Sequence, residues 1–291
     1  VLYLLFTFTL ILGAVYLKPV DKSQKEDEDF CKDGNLLKYE TGKRYAYTYE
    51  TTNLLWINDV SDDAKSTLKL TANVALSAKD NCRLVMTLDK VTVSGDASVD
   101  SAKLAAGLQA NPVSFRLNKK GELDSLVRFA DDEPAWAKNV KRGIISTLQV
   151  KSDDDLRNED PADKTSDKSA VVYESDVLGR CRTTYERDGD KLEKTKSLSR
   201  CTLNANDKDS TVQFVPYKNL PEFYQGQLFF EQYKCKSQVS DSLVKSVECE
   251  EKSTYKIGAR GSNGVQAVVG QKLTYFSTLE GQDRMADCKY H

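Results

Sequence analysis

Few residues in this 291-residue chain have the type and spacing to do chemistry. Its one histidine is His291, so mechanisms built on an imidazole base lose their central group. Zinc sites of the Cys/His type lose their usual partner too. The seven cysteines (Cys31, Cys82, Cys181, Cys201, Cys235, Cys249 and Cys288) include no CxxC pair. No GxSxG elbow, phosphate-binding glycine loop or dinucleotide fingerprint occurs. Asp153-Asp154-Asp155 and Glu26–Asp29 are acidic runs, but they lack the glycine turn and distal glutamate of a calcium loop and read as solvated loops. Carboxylate or lysine chemistry stays open, yet spacing singles out no pair. The expectation is a protein that is not an enzyme, with no catalytic, cofactor-binding or metal residues.

The cysteines then take a structural meaning. Val1–Val15 is an uncharged apolar run followed by Lys18-Pro19, short of the roughly 20 residues a spanning helix needs. It fits the apolar part of a signal peptide over residues 1–17, with an acidic linker over 18–30. Secretion makes disulfides the default. Spacing favours local bridges Cys181–Cys201 and Cys235–Cys249, with Cys31–Cys82 closing a longer loop, although sequence alone leaves the connectivity open. Cys288 is left over, and the chain is expected to be a fragment lacking both true ends.

One segment is a candidate contact surface. Arg180, Arg182, Arg187, Lys191, Lys194, Lys196 and Arg200 crowd one stretch, against Glu186, Asp188, Asp190 and Glu193. Held as a hairpin, they would present positive charge to an acidic receptor module or anionic lipid headgroups; the plainer alternative is a solvated hairpin. Elsewhere the charge is balanced, 42 Lys+Arg against 44 Asp+Glu, so there is no general footprint for nucleic acid.

The elements that must position these residues are mostly strands. Tyr45, Tyr47 and Tyr49 share one face of the first. Leu68, Leu70, Ala72, Val74 and Leu76 alternate with polar residues, the mark of a strand with one wet face. Cys82, Leu84, Met86 and Leu88 repeat that period, and Val91 and Val93 continue it past an irregularity. Asn118–Gly121 is a turn between Phe115/Leu117 and Leu123/Val127/Phe129. The pattern breaks at 134–149, where Trp136, Val140, Ile144 and Leu148 fall at four-residue steps, predicting an amphipathic helix that could plug an open barrel. Asp131–Glu133 suit its start, Lys138, Lys141 and Arg142 its wet side, and Gly143 weakens it. Residues 151–170 read as a polar, disordered loop inserted within one domain. Asp188-Gly189 is a hairpin signal that returns Cys201 toward Cys181, and further hairpins follow around 227–249 and 253–270.

Three pieces together carry a family resemblance: Gly42–Tyr49, the helix Trp136–Leu148, and Asp176–Tyr185 with its partner Cys201. The chain resembles, over roughly residues 31–285, the vitellogenin-type N-terminal domain of the large lipid transfer proteins. That family comprises vitellogenins, insect apolipophorins, apolipoprotein B and the large subunit of microsomal triglyceride transfer protein. The likeness is greatest to arthropod apolipophorins and the related mite lipophorin-like allergens. The resemblance implies a mainly β fold, an open antiparallel barrel wrapped about one central helix over 31–272, with disulfides matching the three pairs above. It implies the start of a helical domain at 273–291 and the loss of Cys288's partner to truncation. It also implies lipid transport, with lipids bound by the full-length protein, and an extracellular location. The partners it implies are a lipoprotein receptor, met loosely by the 180–200 ribbon, and the remainder of the precursor chain. Yolk storage, or a receptor-binding module without lipid of its own, are the sibling readings.

Overall fold

The computed structural model describes residues 39–57, 65–79, 83–95, 100–117, 121, 123, 127–151, 164–166, 169–176, 179–202, 229–256 and 264–280. In chain order the elements are β1 (Lys43–Ile57), β2 (Ser66–Ala78), β3 (Arg83–Gly95), α1 (Ser101–Ala110), β4 (Val113–Arg116) and α2 (Ala135–Thr147). Then come β5 (Lys164–Ser166), β6 (Ser169–Asp176), β7 (Gly179–Asp188), β8 (Lys191–Thr202), β9 (Phe229–Ser240), β10 (Leu243–Lys256) and β11 (Gly264–Glu280). All strands join one eleven-stranded sheet in the order β4-β3-β2-β1-β11-β10-β9-β8-β7-β6-β5. It consists of two antiparallel meanders sewn together where β1 runs against β11, from Lys43↔Glu280 to Ile57↔Val265.

This order corrects the expected barrel. Among the described residues the sheet is open, with β4 and β5 as its end strands and no register between them. Closure requires the outermost strands to pair, and β4 has only four residues and β5 three. Alternation in the sequence specifies which face is buried but not whether sheet or helix covers it. Here the cover is helical, and among the described residues there are two helices, not one. The unforeseen α1 is capped by Asp100, whose side chain accepts from Lys103 N at 3.0 Å.

Other boundaries shift as well. β11 runs to Glu280, so the boundary expected at 272 falls inside a strand. β5 and the start of β6 occupy part of the stretch expected to be a loop over 151–170. The irregularity expected in β3 is a bulge: Thr71 pairs with Thr92 and Asn73 with Asp89, leaving Ala72 against two residues. Lys90 there takes φ 49°, and its N–H donates to Asp89 Oδ1 at 2.7 Å.

The core lies on one face of the sheet. Tyr45, Tyr47 and Tyr49 are buried there with Leu70, Val74, Leu76, Leu84 and Met86, and Ile144, Ile145 and Leu148 of the α2 region join the same cluster. The tyrosine hydroxyls find partners: Tyr39 and Tyr47 share a hydrogen bond of 3.2 Å, and Tyr49 donates to Gln271 Oε1 at 3.2 Å. Burial pushes the Tyr39, Tyr47 and Tyr49 phenols up, so they stay neutral. α2 departs from its predicted faces in two places. Trp136, expected on the apolar stripe, is 37% exposed and packs on Gly107 of α1. Lys141, expected in solvent, is buried; it donates to Asn111 O at 2.5 Å and pairs with buried Glu133.

Candidate functional site

The β7–β8 hairpin holds the seven basic residues. It turns at Gly189, whose φ of 58° suits a residue without a side chain. Cys181 and Cys201 are direct cross-strand partners and form a disulfide, with Cα atoms 4.0 Å apart. Cys235 and Cys249 do the same across β9 and β10. Cys31, Cys82 and Cys288 lie outside the described residues.

A strand sends alternate side chains to opposite faces, and this divides the ribbon. Lys194 and Lys196 point into the core beside Leu192 and are 2% and 1% exposed. Lys194 Nζ donates to Ser146 O at 3.3 Å and Gln149 O at 3.1 Å, the carbonyls at the end of α2, and to Glu174 Oε1 at 3.3 Å. An ammonium at a helix C-terminus satisfies orphan carbonyls and complements the dipole. Lys196 Nζ lies 3.7 Å from Glu174 Oε1 and 5.3 Å above the Tyr233 ring. Tyr185 donates its hydroxyl to Glu174 Oε2. Burial by itself would raise the Glu174 carboxyl, but Lys194, Lys196, the Tyr185 hydroxyl and Lys151 outweigh it and hold it at about 2. This is a clamp on the end of α2, not a reactive centre.

The other basic residues divide differently. Arg180 is exposed, its guanidinium 5.6 Å from the ring of Tyr173, itself 53% exposed. Arg182 is the cross-strand partner of Tyr173, and Lys191 is exposed beside the turn. Arg187 is half-buried and donates to Lys151 O at 2.9 Å, tethering the chain that leaves α2. The backbone of Arg200 belongs to β8; its side chain lies outside the described residues. The ribbon therefore presents Arg180, Arg182 and Lys191, with an aromatic platform that charge counting missed. Glu174 and Tyr173 were legible in principle, as inner and outer positions of β6 next to Val172.

A groove of about 460 Å³ crosses β9, β10, β11 and β1 around Gly270, lined by Lys234, Lys236, Glu248, Glu250 and Lys272 among others. Thr51, Thr52, Cys249, Gly270 and Gln271 lie between these charged side chains. Among the described residues no cluster of three or more His, Cys, Asp or Glu could hold a metal, and no helix is long and apolar enough to cross a membrane.

An open antiparallel sheet stapled by disulfides, with buried Lys194 anchoring the end of a helix, defines a β-module. The Vitellogenin N-terminal domain family matches residues 39–282, and the chain belongs to that family, a non-catalytic one. Apolipophorins of Locusta migratoria are 28% identical over 84% of this chain, and those of Manduca sexta 25% over 84%. Vitellogenin of Penaeus merguiensis is 23% identical over 75% of it. The chain spans only 7% of the length of either apolipophorin and 8% of that vitellogenin. A solved structure of lipovitellin shares the fold, with a TM-score of 0.62 at 17% identity, covering 84% of this chain and 26% of that one.

Proposed function

We propose that this chain is the N-terminal module of a large secreted lipid-carrying protein, with apolipophorin-type lipid transport as the role of the whole. The observation that carries the reading is the similarity to apolipophorins across 84% of the chain, against 75% for the vitellogenin, which favours transport over yolk storage. Two disulfides agree with an oxidising, extracellular compartment. The module's buried face is filled by tyrosines, aliphatic side chains and α2, so the lipid load belongs to the longer chain. Mass spectrometry of organic extracts tests this: the full-length protein should retain lipid well above the 291-residue chain. Absence of lipid from both would defeat the reading.

A second reading concerns partners. The exposed Arg180–Tyr173 pair, with Arg182 and Lys191 nearby, supports a contact with an acidic receptor module or anionic surface. Neutralising Arg180, Arg182 and Lys191 should weaken heparin retention and flatten its salt dependence, whereas Lys194→Met should cost stability instead. Unchanged retention in the triple variant would exclude this surface.

A further inference from the structure

Among the described residues β4 and β5 end the sheet without pairing, so something else must fix how those ends stand to one another. The chain from Arg128 to Lys151 runs between the two sides. At one end Arg128 exchanges two backbone hydrogen bonds with Ser114 of β4, 2.8 and 3.0 Å long. Glu133, buried just before α2, pairs with Lys141, whose Nζ also donates to Asn111 O at the C-cap of α1. Trp136 packs on Gly107 of that helix. α1 is tied in turn to the bulge of β3, where Val91 N–H donates to Gln109 Oε1 at 3.1 Å. At the other end Lys194 of β8 holds the carbonyls of Ser146 and Gln149 and binds Glu174 of β6, the neighbour of end strand β5. Arg187 of β7 holds Lys151 O at 2.9 Å.

We propose that Arg128–Lys151 is a strap that stands in for edge-to-edge strand pairing and couples the two ends of the open sheet. α2, 13 residues long, spans about 20 Å as a rigid rod. Ile144, Ile145 and Leu148 seat that rod against the core. At both ends a buried lysine donates to backbone carbonyls and pairs with a buried glutamate, an arrangement costly to leave half-made. The β1–β11 seam joins the two meanders side by side, and the strap joins them across the buried face. Coupling between two sites is reciprocal, so loosening either anchor should be felt at the other. The coupling is a property of the fold and holds whatever the module carries.

Hydrogen exchange of the 291-residue chain, read by mass spectrometry, tests the strap. Lys194→Met should raise exchange at least about tenfold, the scale of one hydrogen bond to a charged group, in residues 144–151 and also in α1 and at Ser114 of β4. The seam strands β1 and β11 should keep their protection. Lys141→Met should act in the opposite direction, raising exchange in β7 and β8. Arg187→Met removes a half-buried anchor and should act like Lys194→Met more weakly; it keeps the test readable if a lysine variant fails to fold. Val247→Ala, in the core of β10, controls for lost stability and should not single out α1 or the end of α2. Exchange that rises only beside the substituted anchor would overturn the strap. So would an equal response of α1 to Lys194→Met and to Val247→Ala at matched loss of stability.

Discussion

Glu174 shows how environment decides what a charged residue does. Its carboxylate is buried and serves two buried lysines, so removing its charge takes an anion away from both. Glu174→Gln should cost about 3–5 kcal/mol at neutral pH, measured by urea unfolding. Its folded pKa of about 2 lies below its ordinary 4.5, so its stabilisation is present above about 4.5 and is lost as pH falls toward 2. The variant should lose that segment of the acid-unfolding curve. Glu231 has the opposite sign. Burial, then the nearby Glu251, raise its carboxyl from 4.5 to about 7, with the Ser253 hydroxyl partly opposing them. The fold thus favours its protonated form, and stability should decline as pH rises from about 4.5 through 7. Glu231→Gln should unfold at higher urea than the unsubstituted chain above pH 7 and match it below 4.5; a difference that grew on acidification would contradict this.

The two helices each carry a glycine whose surroundings differ. A Cβ on Gly143 of α2 would have only Gln271 Oε1 within reach, at 3.9 Å. Gly143→Ala should therefore stabilise by about 0.5–1 kcal/mol through helix propensity alone. A Cβ on Gly107 of α1 would lie 2.9 Å from Trp136 Cζ2. Gly107→Ala should forfeit the same gain to overpacking, which costs about 1–3 kcal/mol, and should alter the tryptophan emission as the ring moves. Equal stabilisation by both would contradict the packing of α1 on α2. The helix over 135–147 was legible because Ile144 and Leu148 repeat at helical steps. α1 carried a usable signal, Asp100 before an alanine-rich run with Leu104 and Leu108, that the surrounding strand pattern masked.

The whole sheet depends on distant segments meeting, since β1 pairs with β11 more than two hundred residues later. The two disulfides do not make that seam; each bridges neighbouring strands, with separations of 20 and 14 residues. Their contribution is local and comes through the unfolded chain, about 3 kcal/mol for loops of this length. Cys235→Ala/Cys249→Ala should lower unfolding stability by about that amount while leaving the β-sheet circular dichroism intact. Loss of the sheet would mean that the staple, not the β1–β11 register, holds the two meanders together.

The order of residues was enough to specify the period-two strands, the hairpin at Asp188-Gly189, the helix near Trp136 and the family resemblance, and its spacing favoured the two local cysteine pairs that the structure forms. Those features are local: each follows from alternation, turn chemistry or spacing within a few tens of residues. Three-dimensional packing settled the rest. It opened the sheet, because edge pairing is a long-range property that alternation does not encode. It also divided the basic ribbon, taking Lys194 and Lys196 inside, where Lys194 clamps the end of α2, and leaving Arg180 and Lys191 exposed with Arg182 half-buried. The physical reason is that a sequence displays every charge alike, whereas burial depends on which carboxylate and which helix end lie across from it.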